Sequence, residues 1–184
     1  MSDKPFTGRT AVITGASRGI GAGLVRCFRE AGVRVAGCSR TLPDDCDIAQ
    51  EVDVASESAV IGFCEEVTSA WGAIDLWINN AGILEPVAPL REVSPKDFMS
   101  HLEVNVLGVF NGTRAYIHHL RGREGGGVLM NISSGAAWQG YAGWSAYCAG
   151  KAAVDRLTES VQLEELTSGL RAYAIAPGVV DTHM

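Results

Sequence analysis

Residues 10–21 read TAVITGASRGIG. Thr10 to Thr14 form a short apolar run, and a Gly-x-x-x-Gly-x-Gly turn follows at once through Gly15, Gly19 and Gly21. Beyond the turn Ile20, Leu24, Cys27 and Phe28 recur at helical spacing until Gly32 ends the segment. A strand feeding a glycine turn that opens a helix is the context in which such glycines carry meaning. Gly15 permits the sharp turn, Gly19 lets the backbone come close to a diphosphate, and Gly21 lets helix and strand pack tightly. The helix N-terminus, flanked by Ser17, Arg18 and Ile20, then offers free N–H groups and a partial positive charge to phosphates. The plain alternative is a tight turn that holds no ligand.

Working outward, the same alternation repeats. Strands are read at Val33–Cys38, Glu51–Val54, Ile74–Ile78, Val128–Ile132 and Leu170–Ala176. Helices are read at Glu57–Trp71, along Phe98–Leu120 and at Tyr147–Leu166. The strands are solidly apolar, as strands covered by helices on both faces must be. The pattern predicts an α/β fold, a Rossmann-type doubly wound parallel sheet in three layers, α/β/α. No linker or repeat divides it, so residues 1–184 read as one domain. Only twelve residues separate Arg40 from Asp53, with Pro43 and four acids among them, so the helix that would join the second and third strands is expected to be shortened or lost.

Composition narrows the class. Lys plus Arg is 15 against 21 Asp plus Glu, a net charge of −6, so a nucleic-acid partner is not expected. Glycine, at 22 of 184 residues, is in excess and calls for tight turns or close backbone approach to a ligand. Five cysteines, an odd number with no Cys-x-x-Cys pair, point to free thiols in a reducing, cytoplasmic setting. Residues 125–150 carry no charge, yet their glycines and polar side chains argue for a buried strand and loop rather than a membrane span.

The end of the second strand bears on the choice of ligand. An acid there would bond a ribose hydroxyl and repel a 2′-phosphate, but the sequence has Ser39-Arg40-Thr41. With Arg18 in the glycine turn, two guanidinium groups are available for charge-assisted bonds to a 2′-phosphate, and NADP(H) is the expected cofactor. The alternative is solvated surface charge. Asp53 is placed to accept from an adenine amino group, or to cap the following loop. Further along, Tyr147 and Lys151 stand four apart and share a helix face. Ser134 lies thirteen residues upstream of Tyr147, and Asn105 sits inside a long helix where Asn is mildly unfavourable.

In order and spacing these motifs resemble the short-chain dehydrogenase/reductase family. The matches are Thr14 to Gly21, Asp53-Val54, Asn79-Asn80-Ala81-Gly82, Asn105, Ser133-Ser134, Tyr147-x-x-x-Lys151 and Pro177-Gly178-x-x-x-Thr182. The stretches around Ser134, Tyr147 and Val180 look most like the sepiapterin-reductase and benzil-reductase branch. The resemblance implies a sheet of about seven strands and NADP(H)-linked reduction of a small carbonyl compound, or oxidation of the alcohol. It also implies a homodimer or homotetramer, and a lid and last strand beyond residue 184. The alternative is a non-catalytic NADP(H)-binding or sensor protein on the same fold, although Ser134, Tyr147 and Lys151 are all intact.

The chemistry assigned to these residues follows from their types. A ketone taking up hydride becomes alkoxide-like and needs a proton donor, the part expected of Tyr147. Its ordinary pKa near 10 is to be lowered by Lys151 and by a positively charged nicotinamide. Ser134 is to act as a donor to the substrate oxygen. By resemblance Lys151 also bonds the nicotinamide ribose and Asn105 holds a water behind it. Asn80, Ala81 and Gly82 would wall the cofactor, with Asn79 either joining them or bracing the sheet. Pro177, Gly178, Val180 and Thr182 would line the nicotinamide amide. Trp138, Tyr141 and Trp144 are candidate walls of the substrate pocket, or else ordinary packing. No metal is expected: His118-His119 lacks a third ligand and reads as helix surface, and Cys148 reads as a packing residue.

Overall fold

The computed structural model describes residues 5–122 and 124–180. Six parallel strands run β1 (Thr10–Thr14), β2 (Arg34–Ser39), β3 (Ile48–Glu51), β4 (Leu76–Asn79), β5 (Gly127–Ile132) and β6 (Leu170–Ile175), in the sheet order β3-β2-β1-β4-β5-β6. The order reverses on either side of β1, and the crevice at that reversal is where doubly wound sheets bind ligands. The resemblance implied about seven strands; six are present among the described residues.

Helix α1 (Gly19–Glu30) covers one face of the sheet; α2 (Glu57–Trp71), α4 (Gly108–Arg121) and α5 (Ser145–Glu164) cover the other. Alternate strand residues feed the two cores: Ala11, Ile13, Val35 and Ile78 pack toward α1, while Val12, Ala36, Trp77 and Leu129 join Phe63, Val67 and Tyr116 beneath α2 and α4. Each such fully buried side chain stabilises the fold by about 1.5–3 kcal/mol. Gly108 brings α4 against Val54, and Gly112 brings it against the side chains of Asn79 and Trp77.

Two sequence readings need adjustment, and a third holds. The third strand lies at Ile48–Glu51 rather than Glu51–Val54, because its ladder pairs Ala36–Ser39 with residues 48–51 and then stops. Asp53 and Val54 therefore stand just past the strand, over the end of the sheet. The segment Arg40–Asp47 contains no helix, as its length suggested. The single helix read along Phe98–Leu120 is α3 (Pro95–Leu102) and α4, separated by a π-helical turn at Glu103–Leu107. That wide turn carries Asn105, which bonds to the loop after β4; π turns are frequent at functional sites. In the stretch read as a possible span, Asn131 is fully buried in the sheet, and no helix among the described residues is long and apolar enough to cross a membrane.

Candidate active site

A cleft of about 720 Å³ opens along the C-terminal ends of the strands. At its floor the chain leaves β1 through Gly15, at φ +66°, and enters α1. No side chain caps the first turn of α1 and no acid lies in it, so its N–H groups and partial positive charge face the cleft uncompensated. The glycines are required by what surrounds them. A Cβ on Gly15 would stand 2.7 Å from the Cα of Ala81, and one on Gly21 only 2.1 Å from the Gly15 carbonyl oxygen. Gly21 is thus behind the cleft, holding helix to turn, whereas Gly15, Ser17, Arg18, Gly19 and Ile20 line it.

Asn80 locks this corner. Its side-chain amide donates to the carbonyls of Thr14 and Gly15, while the Thr14 hydroxyl accepts from the backbone N–H groups of Asn80 and Ala81. Asn79 points the other way. It is buried among Trp77, Thr113 and Asn131 and braces β4 against β5 and α4, so of its two sequence readings the bracing one holds.

At the far end Ser39, Arg40, Asp53 and Val54 line the same cleft. The Ser39 hydroxyl donates to the Thr41 carbonyl. Asp53 accepts from the Ala55 N–H, so it caps the loop while its carboxylate also borders the cleft. Arg18 and Arg40 are exposed, and neither has a carboxylate partner among the described residues. At the near end stand Gly82, Ser134, Tyr147, Lys151, Pro177, Gly178 and Val180. Thr182 lies outside the described residues.

Helix α5 supplies Tyr147 and Lys151 from its first two turns, both buried. The Lys151 ammonium donates to the Ile132 carbonyl at 2.7 Å and lies 5.6 Å from the centre of the Tyr147 ring. Burial pushes the Lys151 pKa down to about 8, with the Asp155 carboxylate acting in the opposite sense. Burial pushes the Tyr147 phenol up, while hydrogen bonding from Ser134 pulls it back. The expected lowering of Tyr147 by Lys151 is therefore not what the protein alone produces: burial prevails, and a lysine with a weakened hold on its proton is a weaker electrostatic partner. Ser134 sits past β5, its hydroxyl accepting from the Ala136 N–H. Behind it, Ser133 donates to Asp155 at 2.5 Å.

The shift at Lys151 has a sign that can be checked. Between about pH 8 and the model-compound value of 10.5, the unfolded chain holds more protons at this residue than the folded one. Stability due to Lys151 then rises with pH through that window and is lost as pH falls back through it. Urea unfolding of wild type and Lys151→Met is expected to show the variant more stable at pH 7 by about 2–3 kcal/mol, the gap closing toward pH 10.5. A gap independent of pH would overturn the assignment.

Asn105 is fully buried just beneath the cleft floor, its side-chain oxygen meeting the space where a Cβ on Gly82 would be. Trp138, Tyr141 and Trp144 do not line the cleft. Trp138 is exposed, its indole N–H donating to Asp155. Tyr141 and Trp144 pack together at 5.4 Å, and Trp144 meets the edge of Tyr147 at 5.7 Å. His118 is exposed, as read, whereas His119 is half-buried: its Nε2 accepts from the Ile74 N–H and its ring stacks on Tyr116. The cleft also has walls that the sequence reading passed over, among them Ile83, Val104 and Ile132.

Comparison with known proteins decides the family. The family profile described as short chain dehydrogenase matches residues 9–184. The chain belongs to the short-chain dehydrogenases. It is 32% identical to a 3beta-hydroxysteroid dehydrogenase of Eggerthella lenta, covering 95% of this chain and 72% of that protein. It is 35% identical to a 2,3-dihydro-2,3-dihydroxybenzoate dehydrogenase of Escherichia coli, over 97% and 72%. A short-chain type dehydrogenase/reductase from Mycobacterium marinum superposes with a TM-score of 0.90 at 28% identity, over 96% of this chain and 75% of that one. Like its relatives, this short-chain dehydrogenase is an oxidoreductase of the alcohol–carbonyl class, and its family uses a nicotinamide cofactor. The residues fit that group. A dinucleotide needs a backbone cradle without Cβ atoms, an uncompensated helix N-terminus for its phosphates and a long cleft over the strand ends, and Gly15, Gly19 and the start of α1 supply these.

Proposed function

We propose that this short-chain dehydrogenase reduces a small carbonyl compound, or oxidises the corresponding alcohol, with NADP(H). The observation that carries the reading is the convergence of Ser134, Tyr147 and Lys151 at one end of a cleft whose other end holds Ser39 and Arg40. The Gly15–Ile20 turn would hold the phosphates, and Asn80, Ala81 and Gly82 would wall the middle of the dinucleotide. The bound cofactor supplies or accepts the hydride. Tyr147 gives its phenolic proton to the substrate oxygen in reduction and takes it back in oxidation. The raised pKa suits the first role: Tyr147 stays protonated, and is a donor, throughout the neutral range. The Ser134 hydroxyl donates to the same oxygen as charge builds on it. Lys151 holds the ribose side and lends positive charge beside Tyr147. Pro177, Gly178 and Val180 would enclose the nicotinamide amide.

Arg18 and Arg40 support NADP(H) over NAD(H): neither guanidinium has an ion-pair partner among the described residues, and Arg40 follows the end of β2, where a ribose-binding acid would stand. Arg40→Asp is expected to lower kcat/KM for NADPH at least tenfold and to raise it for NADH. An unchanged cofactor ratio would remove Arg40 from the 2′-phosphate. The likeness of the Ser134, Tyr147 and Val180 stretches to sepiapterin and benzil reductases directs the search for substrate to flat or aromatic carbonyls. NADPH oxidation at 340 nm against diketones, quinones and pterins tests the whole reading. Turnover with at least one class is expected, and NADPH binding with no turnover in either direction would sink it. A homodimer or homotetramer acting in the cytoplasm completes the proposal, resting on the family and on the free thiols.

A further inference from the structure

Helix α5 is fastened to the end of β5 by three polar side chains on one helix face, Lys151, Asp155 and Thr158. Lys151 donates to the Ile132 carbonyl, and the Thr158 hydroxyl accepts from the Asn131 amide at 2.8 Å. Between them Asp155 accepts from the Ser133 hydroxyl. Lys151 already has a part in the chemistry, and the Asn131–Thr158 bond lies deep in the core. Asp155 is the buried charge that the chemistry leaves unused.

A carboxylate taken out of water must be compensated, and both oxygens of Asp155 are engaged. Oδ1 takes the Ser133 hydroxyl at 2.5 Å and Oδ2 takes the Trp138 indole N–H at 3.1 Å. Those two donors stand at the two ends of one short segment, Ser134 followed by the 3₁₀ turn Gly135–Ala137.

The other bonds of this segment do different work. The Ser134 hydroxyl accepts from the Ala136 N–H, the Ser134 carbonyl from the Ala137 N–H, and the Gly135 carbonyl from the Trp138 N–H. They shape the turn without attaching it to anything else. The Ser133 N–H donates to the Ile175 carbonyl, which fixes the start of the segment to β6. Asp155 fixes it to α5, and does so from both ends. Tyr147 stands two turns earlier on that same helix, so the phenol and the carboxylate belong to one rigid rod. The hydrogen bond between Ser134 and Tyr147 joins two separate elements and lasts only while they keep their register.

We propose that Asp155 is a positioning residue: by holding Ser133 and Trp138, on either side of the turn that begins at Ser134, it keeps the Ser134 hydroxyl in register with the Tyr147 phenol. The proposal rests on the reading of Ser134 and Tyr147 as partners at the substrate oxygen. It gives Trp138, which lies off the cleft, a part in the site as a strap rather than as a pocket wall. A carboxylate suits the task because it accepts at both oxygens and its bonds are charge-assisted. Its charge also helps Lys151, one turn away, to keep its proton. The two effects are separable by substitution.

A double-mutant cycle with Ser134→Ala is the test. Asp155→Ala is expected to lower kcat/KM for carbonyl reduction about tenfold, with dinucleotide affinity within a few-fold of wild type. In the Ser134→Ala background the same change is expected to cost less than about threefold, since the hydroxyl it positions is gone. Equal losses in the two backgrounds would overturn the proposal. Asp155→Asn removes the charge and can keep both ties, its oxygen accepting from Trp138 and its nitrogen donating to the Ser133 hydroxyl. At pH 6, well below the Lys151 pKa of about 8, it is expected to stay within about threefold of wild type. A loss as large as that of the Ala variant would make the charge, not the ties, the active element and overturn the proposal.

Should Asp155→Ala not fold, Trp138→Phe, at the exposed end, carries the cycle alone. A loss of about threefold that vanishes in the Ser134→Ala background is expected; no loss, or the same loss in both, overturns the proposal. If the wild type turns over no carbonyl or alcohol, the functional reading fails, and NMR on the full chain without dinucleotide still judges Asp155. The Ser134 and Ala136 amide signals and the Tyr147 ring ¹³Cζ signal are expected to move in the Ala variant, or in Trp138→Phe where it stands in, and to stay in place in Asp155→Asn. Signals that stay in place in the Ala variant or its stand-in, or that move as far in Asp155→Asn, would overturn the proposal.

Discussion

Tyr147→Phe is expected to lower kcat/KM for carbonyl reduction by about 10²–10⁴-fold while leaving the dinucleotide affinity within a few-fold of wild type. The substitution removes one oxygen and nothing else that the fold uses. The ring keeps its edge contacts with His101 and Trp144, and Lys151 keeps its bond to the Ile132 carbonyl. Stability should hardly move, since the phenol is where burial works against the charged form rather than where it anchors the core. What disappears, in the role proposed for Tyr147, is the proton donor. Without it the developing alkoxide has only the Ser134 hydroxyl, which can stabilise charge but is placed to hydrogen-bond rather than to surrender a proton. Stopped-flow reduction with NADPH and a fluorescence titration of the same variant separate the two quantities. Full turnover in Tyr147→Phe would move the acid elsewhere, and a parallel loss of affinity would make Tyr147 a binding residue.

Gly21→Ala is expected to act on stability and cofactor binding together. An added Cβ would stand 2.1 Å from the Gly15 carbonyl oxygen and 2.6 Å from the Asn80 side-chain nitrogen. Neither neighbour can yield cheaply. The carbonyl belongs to a turn at positive φ, and the Asn80 amide is bonded to the Thr14 and Gly15 carbonyls. The helix must back away from the sheet, a strain of about 1–3 kcal/mol or more, with a fall of several degrees in Tm. The same displacement withdraws the N–H groups of α1 from the phosphates. Gly23→Ala, two residues along the same helix, is the control: nothing lies within 4 Å of its added Cβ, and the exchange is expected to stabilise by about 0.5–1 kcal/mol. If the two alanines behave alike, the close approach at Gly21 is not what the glycine serves.

The strand–turn–helix at residues 10–21 was legible because its signals are local. An apolar run, glycines where a Cβ cannot fit and a helical period need only a few neighbouring residues to be recognised. The same holds for α2, read from its period at Glu57–Trp71 and found there. Tyr147 and Lys151 were legible because four residues of helix put two side chains on one face. The third strand was misplaced because its limits are set by the ladder with β2, a partner the local sequence does not reveal. The π turn at Glu103–Leu107 escaped for a related reason: its apolar positions continue the helical period, and the wide turn is marked by the bonds that Asn105 makes to Ile83, twenty-two residues away.

What the sequence by itself determined is the fold class, the glycine turn after β1 and the placing of Tyr147 and Lys151 on one helix face, since each depends on spacing along the chain. What only the tertiary structure decided is how those residues are poised. The aromatic trio at 138–144 lies off the cleft, with Trp138 held by Asp155, because a loop's direction is fixed by what it packs on. Tyr147 is raised and Lys151 lowered, because burial is a property of the whole fold and outweighs a favourable neighbour four residues away. His101 carried no signal in a linear reading, being one more polar residue in a helix. Its burial comes from three segments, the Glu85 loop, the π turn and α5, that close around it only once the chain has folded.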